Sequence, residues 1–246
     1  MSSGSTVGAG AAATELPPIC LLAGGLGTRL GQTVRDTPKP LLEVAGEPFL
    51  LHQLRLLARY GAARVVLCVG YLGELIEERI GPSRFGIHIT YSYDGPSLIG
   101  TLGAVRKAAP ALGDRFLILY GDTYLRLDYA AVARDWERSG LSGLMTVLRN
   151  EGRWDASNVI FDGVRVTTYD KRAPDPEMRW IDYGLGGLRA DALALVGDEV
   201  DDLADLYHEL ARRGDLFGFA ATDRFYEIGT PAALAETGEF LAAGAQ

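Results

Sequence analysis

Residues 19–40 read ICLLAGGLGTRLGQTVRDTPKP, and the rest of the chain is understood from this stretch outward. Ile19 to Ala23 has the length and composition of a strand buried inside a parallel sheet. The run stops at Gly24, Gly25 and Gly27. Without a Cβ, glycine reaches φ > 0 and lets a ligand lie against the backbone, so the amide N–H groups of such a loop can point at phosphate oxygens. Arg29 and Lys39 follow closely with fixed positive charge. Backbone amides, a guanidinium and an ammonium in one short segment suit a polyphosphate.

Two commoner glycine motifs fail here. The P-loop needs G-x-x-x-x-G-K-[ST], and no Gly-Lys-Ser or Gly-Lys-Thr follows Gly25. The dinucleotide fingerprint G-x-G-x-x-G could begin at Gly25, but Leu30 occupies its third glycine position. What stands there is G-G-x-G-T-R-L followed by Thr37-Pro38-Lys39-Pro40. A lone glycine loop after a strand is more often an ordinary tight turn. Arg29 and the Pro-Lys-Pro arrangement outweigh that bland reading. Together the two segments resemble the signature of the sugar-phosphate nucleotidylyltransferases, which join a nucleoside triphosphate to a sugar 1-phosphate.

The chain has 246 residues, 48% of them hydrophobic and 23% charged, with a formal net charge of −8. This length suits one domain burying roughly three quarters of its unfolded surface, expected over residues 17–246. The acidic balance argues against a nucleic-acid partner and makes the cluster Arg29, Arg35, Lys39 stand out. Cys20 and Cys68 lie in apolar strand-like runs without C-x-x-C spacing and read as buried thiols in a reducing cytoplasm. His52, His88 and His208 show no ligand spacing and receive no chemistry. No apolar run is long enough for a membrane span. The first sixteen residues are rich in Ala, Gly, Ser and Thr, lack the regions of a secretory signal, and are expected to be a disordered tail.

Along the chain, a helix is expected from Pro48 to about Tyr60, its face carrying Leu51, Leu54, Leu57 and Ala58. Strand Arg64 to Gly70, helix Glu74 to Ile80 and strand Ile87 to Tyr93 follow. Gly100-Thr101-Leu102-Gly103-Ala104 leads a helix through Ala109, and strand Arg115 to Tyr120 ends at Gly121-Asp122. This alternation predicts an α/β fold, a Rossmann-like, mostly parallel (mixed) sheet with helices on both faces. Ligands of such sheets sit beyond the carboxyl ends of the strands, where the glycine loop and Asp122 both fall. A helix from Tyr129 to Ser139 and a strand from Gly143 to Leu148 continue the pattern. Asn158 to Phe161, a turn at Asp162-Gly163, and Val164 to Tyr169 then read as a hairpin. A strand from Ile181 to Arg189 follows, and residues 150–189 are expected to form a β-rich lobe over a second substrate. The chain ends with helix Leu203 to Arg213, strands Leu216 to Ala221 and Arg224 to Ile228, and helix Pro231 to Ala242.

The resemblance covers nearly the whole chain and implies a nucleotide-diphospho-sugar transferase fold, Mg²⁺ as cofactor, and a nucleoside triphosphate and a sugar 1-phosphate as substrates. It implies nucleotide contacts from Ala23, Gly24, Gly25, Gly27, Thr28, Arg29, Lys39, Gly100 and Thr101. Arg29, Lys39 and Asp122 would be catalytic. The metal carboxylates would be Asp122 in GDTY and Glu227 in FYEIGTP. Relatives more often place Asp at the second position. Taken alone, an Asp after a strand is more often a turn residue or cap. For the sugar, the candidates are Asn158, Lys171, Asp182 and Tyr183. Against these stand a surface pair of Lys171 with Asp170 and simple packing of Tyr183. The segment from Asp94 to Ile99 departs from the usual Glu-Pro-Leu version.

The short form and the GGLGTRL, IDYG and EIGTP segments are most similar to heptose 1-phosphate guanylyltransferases, which makes GTP the expected nucleotide, with UTP or dTTP as alternatives. A non-catalytic nucleotide-sugar-binding regulatory protein is a second alternative. A nicotinamide-dependent oxidoreductase is a third, disfavoured by the failed fingerprint. A homo-oligomer is compatible with this reading, and the copy number is not fixed by it.

Overall fold

The computed structural model describes residues 16–25, 27, 30, 36–173 and 175–244. Strand β1 (Ile19–Leu22) is followed by the short hairpin β2 (Glu43–Val44) and β3 (Glu47–Pro48), helix α1 (Phe49–Arg59), β4 (Arg64–Val69) and α2 (Gly73–Ile80). Then come β5 (Ser83–Arg84), β6 (Ile87–Tyr93), α3 (Gly100–Leu112), β7 (Arg115–Tyr120), β8 (Thr123–Tyr124) and α4 (Tyr129–Ser139). The remainder is β9 (Gly143–Arg149), β10 (Val159–Phe161), β11 (Val166–Tyr169), β12 (Trp180–Arg189), α5 (Leu203–Arg212), β13 (Leu216–Ala221), β14 (Tyr226–Glu227) and α6 (Pro231–Ala242).

The centre of the sheet runs β6-β4-β1-β7, all parallel. Alternation along each strand feeds two cores. Ile19, Leu21, Val65, Leu67, Leu117 and Leu119 face one, while Cys20, Val66, Cys68, Phe116 and Ile118 face the other. Helices α1, α2, α4 and α6 contribute to the first core, α3 and α5 to the second, so both faces are covered as expected. The apolar positions of α5, Leu203, Leu206, Tyr207, Leu210 and Ala211, repeat at the helical period and are all buried. Each buried leucine there contributes about 1.5–3 kcal/mol. Helix ends follow local chemistry: Asp128 accepts from Ala131 N to start α4, and Thr230 accepts from Ala233 N to start α6.

The sheet is mixed, as expected: beyond β7, β12 runs antiparallel between β7 and β9, while β9 pairs in parallel with β13. Periodicity marks a strand but carries no direction, so the alternation could not reveal this insertion. Within residues 150–189, β12 belongs to the main sheet, and hairpin β10–β11 extends the same sheet at its edge. Two expected boundaries need correction, the end of helix α3 and the extent of the N-terminal tail. Helix α3 continues past Ala109 to Leu112 with Pro110 inside it. Leu16, placed in the expected tail, is 6% exposed and packs in the first core. Residues 1–15 lie outside the described residues.

Candidate active site

Three parallel strands deliver the residues that follow them to one edge of the sheet. Beyond β1 come Ala23, Gly24 and Gly25; beyond β6, Asp94; beyond β7, Gly121 and Asp122. They line a cavity of about 330 Å³ together with Gly27, Lys39, Gly100 and Thr101. The strand order turns back between β1 and β7, the place where open α/β sheets bind ligands. Every expected nucleotide residue that is described therefore lies on this one cavity. Thr28 and Arg29 lie outside the described residues, as does Arg35.

Close backbone approach explains the glycines. A Cβ on Gly24 would lie 3.1 Å from Gly70 N and 3.2 Å from Asp94 Oδ2. Gly100 has φ +74°, and a Cβ there would collide with Asp201 O. Only glycine allows the start of α3 to press against the chain entering α5. Thr101 secures the same junction: its hydroxyl accepts from Leu203 N at 2.8 Å and donates to Asp202 Oδ1 at 3.4 Å. Thr101 thus lines the cavity with its hydroxyl already engaged in the α5 start.

Lys39 lies between Pro38 and Pro40 in a short 3₁₀ turn, and its side chain is 10% exposed. Its Nζ lies 2.5 Å from Asp122 Oδ2, while Oδ1 of the same carboxylate accepts from Thr123 Oγ1 at 3.1 Å. Asp122 is held from the far end of the chain as well. Ile228 N donates to Asp122 O at 3.0 Å, and Glu227 is paired with Thr123 across the β8–β14 ladder. The Glu227 side chain folds toward the cavity residue Gly229, where a Cβ would lie 2.9 Å from Glu227 Oε2. Two carboxylates distant in sequence are thus brought to neighbouring positions by a ladder two residues long.

Asp94 was not among the expected contacts. Its carboxyl lines the cavity, and no hydrogen-bond donor among the described residues reaches it. Burial raises its pKa, with the Lys107 ammonium opposing. The signal available was positional: Asp94 directly follows a strand on the ligand-binding edge.

The expected sugar residues cluster elsewhere. Asp182 Oδ2 accepts from Tyr169 OH at 3.3 Å and lies 3.7 Å from Lys171 Nζ, and Asp182 Oδ1 accepts from Gly184 N at 3.0 Å. Asn158 Oδ1 accepts from Asp182 N at 3.0 Å. A register shift between Asp182 and Gly186 marks a bulge, a common device for re-aiming a side chain. Lys171 lines a second cavity of about 160 Å³ with Asp170, Arg172, Asp202, Asp205 and His208. Lys171 is therefore paired with Asp182 across the sheet and not with its neighbour Asp170. Tyr183 is 2% exposed and packs against Phe225, so its ring belongs to the core and is not presented to a sugar. Tyr120 connects the two clusters. Burial raises its pKa, and the carboxylates of Asp182, Asp202 and Asp122 push it further.

Comparison with known proteins agrees with this geometry. Residues 19–154, more than half of the chain, match the family model described as nucleotidyl transferase. A D-glycero-alpha-D-manno-heptose 1-phosphate guanylyltransferase of Campylobacter jejuni is 36% identical over 108 residues, covering 44% of this chain and 48% of that protein. An N-acetylmuramate alpha-1-phosphate uridylyltransferase of Neisseria meningitidis is 36% identical over 113 residues, covering 45% of this chain and 49% of that one. The chain thus spans about half the length of these curated relatives. The crystal structure of HddC from Yersinia pseudotuberculosis superposes with a TM-score of 0.73 at 23% identity, over 92% of this chain and all of that one, which establishes the shared fold. With residues 19–154 matched, and the glycine loop, Lys39 and Asp122 of that segment gathered on one cavity, the chain belongs to the nucleotidyl transferase family.

Proposed function

We propose that this chain transfers a nucleotidyl group from GTP to a sugar 1-phosphate of the heptose or another unusual type, releasing pyrophosphate. The observation that carries the reading is the convergence of the glycine loop, Lys39 and Asp122 on one cavity at the strand ends. An oxygen of the sugar phosphate attacks the α-phosphorus in line; the bond from that phosphorus to the bridging oxygen breaks, and pyrophosphate leaves with the electron pair. The nucleophile is already anionic, since the second pKa of a phosphate monoester is about 6. No general base is required. The task left to the protein is alignment and neutralisation of about six negative charges. Lys39 supplies a desolvated positive charge, and the amides of the glycine loop supply donors to the phosphates. Arg29 is proposed for the leaving pyrophosphate, where its planar fork of donors suits two phosphate oxygens.

Asp122 and Glu227 fit a hard cation. Both offer carboxylate oxygens from adjoining backbone positions, and Mg²⁺ usually takes one or two carboxylates and fills its remaining positions with phosphate oxygens and water. Among the described residues, no group of three or more His, Cys, Asp or Glu side chains is placed to hold a metal ion. Bound there, the cation would supply Lewis-acid stabilisation of the charge on the phosphates.

Asp94 supports guanine as the base. A carboxylate accepts two hydrogen bonds side by side, and guanine presents N1–H and N2–H as adjacent donors. Uracil and thymine present one N–H flanked by two carbonyl oxygens, which a carboxylate repels. The uridylyltransferase relative favours UTP as the second reading. On the sugar side, Asp182, Lys171 and Asn158 remain the proposed contacts, one tyrosine away from Asp122.

The test is pyrophosphate release with ATP, GTP, CTP, UTP or dTTP against a panel of sugar 1-phosphates. GTP is expected to be the best donor. Activity with UTP and none with GTP would overturn the guanylyl assignment. Silence with every pair, alongside measurable nucleotide-sugar binding, would favour a regulatory protein.

A further inference from the structure

Gln53 is a polar side chain on the buried face of α1, 1% exposed, and nothing assigned so far uses it. Its amide nitrogen donates to Tyr120 O at 2.9 Å and to Thr123 O at 2.7 Å, the two carbonyls that bracket Gly121 and Asp122. Because both partners are carbonyl oxygens, the nitrogen must face them. The remaining Gln53 Oε1 is buried with no partner among the described residues.

That arrangement is a poor one for stability. Two neutral hydrogen bonds gained are largely offset by one buried acceptor left unpaired. What the amide does supply is position. Strand β7 has just ended, and the turn at Gly121–Asp122 is otherwise anchored by Gly121 N donating to Leu22 O at 2.8 Å and Ile228 N donating to Asp122 O at 3.0 Å. Those bonds reach the turn from β1 and from the end of β14. Gln53 holds its two flanks from a third direction. Its helix is fixed by Phe49, Leu50, Leu54 and Leu57, all 0% exposed, so the anchor is rigid.

We propose that Gln53 is a positioning residue for nucleotidyl transfer, clamping the Gly121–Asp122 turn against α1 so that the Asp122 carboxylate meets the triphosphate and its cation in register. The inference rests on the reading of Asp122 given above. Small displacements of such a group weigh heavily, because outer partners of a cation-binding carboxylate typically govern affinity or rate by about 10–100-fold.

The experiment compares wild type, Gln53→Met, Gln53→Asn and Asp122→Asn. Methionine keeps the length and removes both donors; asparagine keeps the amide but is too short to span both carbonyls. Pyrophosphate release gives kcat, KM for GTP and the half-saturating Mg²⁺ concentration. Calorimetry with Mg²⁺ and GTP, without acceptor, gives binding apart from turnover, and melting curves report folding. Expected for Gln53→Met is a kcat lower by about 10–100-fold and Mg²⁺ binding weaker by about tenfold, with a smaller change in KM for GTP. Gln53→Asn should show the same split and stands in if the methionine variant does not fold. A folded variant with wild-type kcat and Mg²⁺ dependence, or one whose loss merely tracks a lower melting temperature, would overturn the proposal. If Asp122→Asn itself keeps wild-type kcat, the Asp122 reading fails and this inference falls with it; if Asp122→Asn is inactive while Gln53→Met is normal, only this inference fails.

Discussion

Lys39 Nζ and Asp122 Oδ2 lie 2.5 Å apart, on a cavity that both residues line. An ammonium and a carboxylate that close satisfy each other, yet each also matches one part of a cation-bound triphosphate. Lysine carries its charge on a flexible stem and can turn from the carboxylate to a phosphate without moving the backbone. Replacing Lys39 by Met should lower kcat/KM by about 100–1,000-fold, the range seen when one preorganised donor is removed from a developing charge. Arg at this position should recover little, since its fork does not fit a slot that leaves the side chain 10% exposed. Because Asp122 stays 31% exposed and water can take the place of the ammonium, the stability loss should be small, about 1 kcal/mol or less. Initial rates and melting temperatures decide this, and a Lys39→Met enzyme within threefold of wild type would refute the role.

Chelation with EDTA should take pyrophosphate release to background, with recovery on adding Mg²⁺. In Glu227→Gln the half-saturating Mg²⁺ concentration should rise by about 10–100-fold. Thr237 Oγ1 fixes the Glu227 backbone by donating to its carbonyl at 2.6 Å, so the substitution should leave the β8–β14 ladder in place. Unchanged Mg²⁺ dependence in that variant would leave Asp122 as the sole protein ligand.

Burial holds the Asp94 pKa above the ordinary aspartate value, against the pull of Lys107. Protonation therefore sets in at a higher pH than for an exposed aspartate, and a protonated carboxyl no longer offers two acceptors to guanine. KM for GTP should rise as the pH falls toward that raised value. Stability runs the other way: a raised carboxyl pKa contributes most below the unfolded value and its contribution is lost as pH rises through the folded one. Asp94→Asn should remove the pH dependence of KM in this range and weaken GTP by about 5–100-fold, the discrimination of one bidentate pair. A pH-independent KM in wild type would show that Asp94 does not read the base.

How far the sequence was legible depended on where the deciding partner lies. Tyr129–Ser139, Leu216–Ala221 and Pro231–Ala242 appear as expected because their limits are local: the side chains of Asp128 and Thr230 start two of them, and an unbroken apolar run marks the third. The glycine loop, Lys39 and Asp122 could be gathered in advance because strand ends at one sheet edge share a neighbourhood. A mixed sheet and a strand at Ile181 to Arg189 were legible, but not that this strand is the antiparallel one, since Gly186 and Gly187 make room for Tyr207 and Trp136 only once the sheet is assembled. That the Thr101 hydroxyl also secures the start of α5 was not legible, because Leu203 lies far along the chain. Gln53 was invisible for the same reason: a glutamine in an amphipathic helix reads as surface until its two carbonyl partners are known.

Glu209, on the exposed side of α5, accepts from both Arg212 and Arg213, which push its pKa from 4.5 down to about 2. A depressed carboxylate stabilises the fold above its unfolded pKa, and that contribution is lost as the pH falls from about 4.5 toward 2. Glu209→Gln should therefore melt like wild type at pH 3 more nearly than at pH 7. An equal gap in melting temperature at both pH values would contradict the assignment.

The Arg106 guanidinium draws the chain before α5 onto α3. It donates to Val196 O at 2.9 Å, Gly197 O at 2.9 Å and Val200 O at 2.8 Å, with longer bonds to Leu193 O and Asp198 O at 3.4 Å. Next in the chain, Asp201 O accepts from Leu102 N at 2.8 Å and lies where a Gly100 side chain would be. One cation thus fixes the loop that in turn fixes the cavity residues Gly100 and Thr101. Arg106→Met leaves several part-buried carbonyls without a donor and should cost about 2–3 kcal/mol. Gly100→Ala combines a left-handed φ with a clash against Asp201 O, and should cost at least about 1–3 kcal/mol. The two should differ in effect on the site. Alanine at 100 displaces the cavity wall directly and should raise KM for GTP by more than the Arg106 variant does, at equal fraction folded. Equal KM values in both variants and wild type, measured below their melting transitions, would show that this wall does not touch the nucleotide.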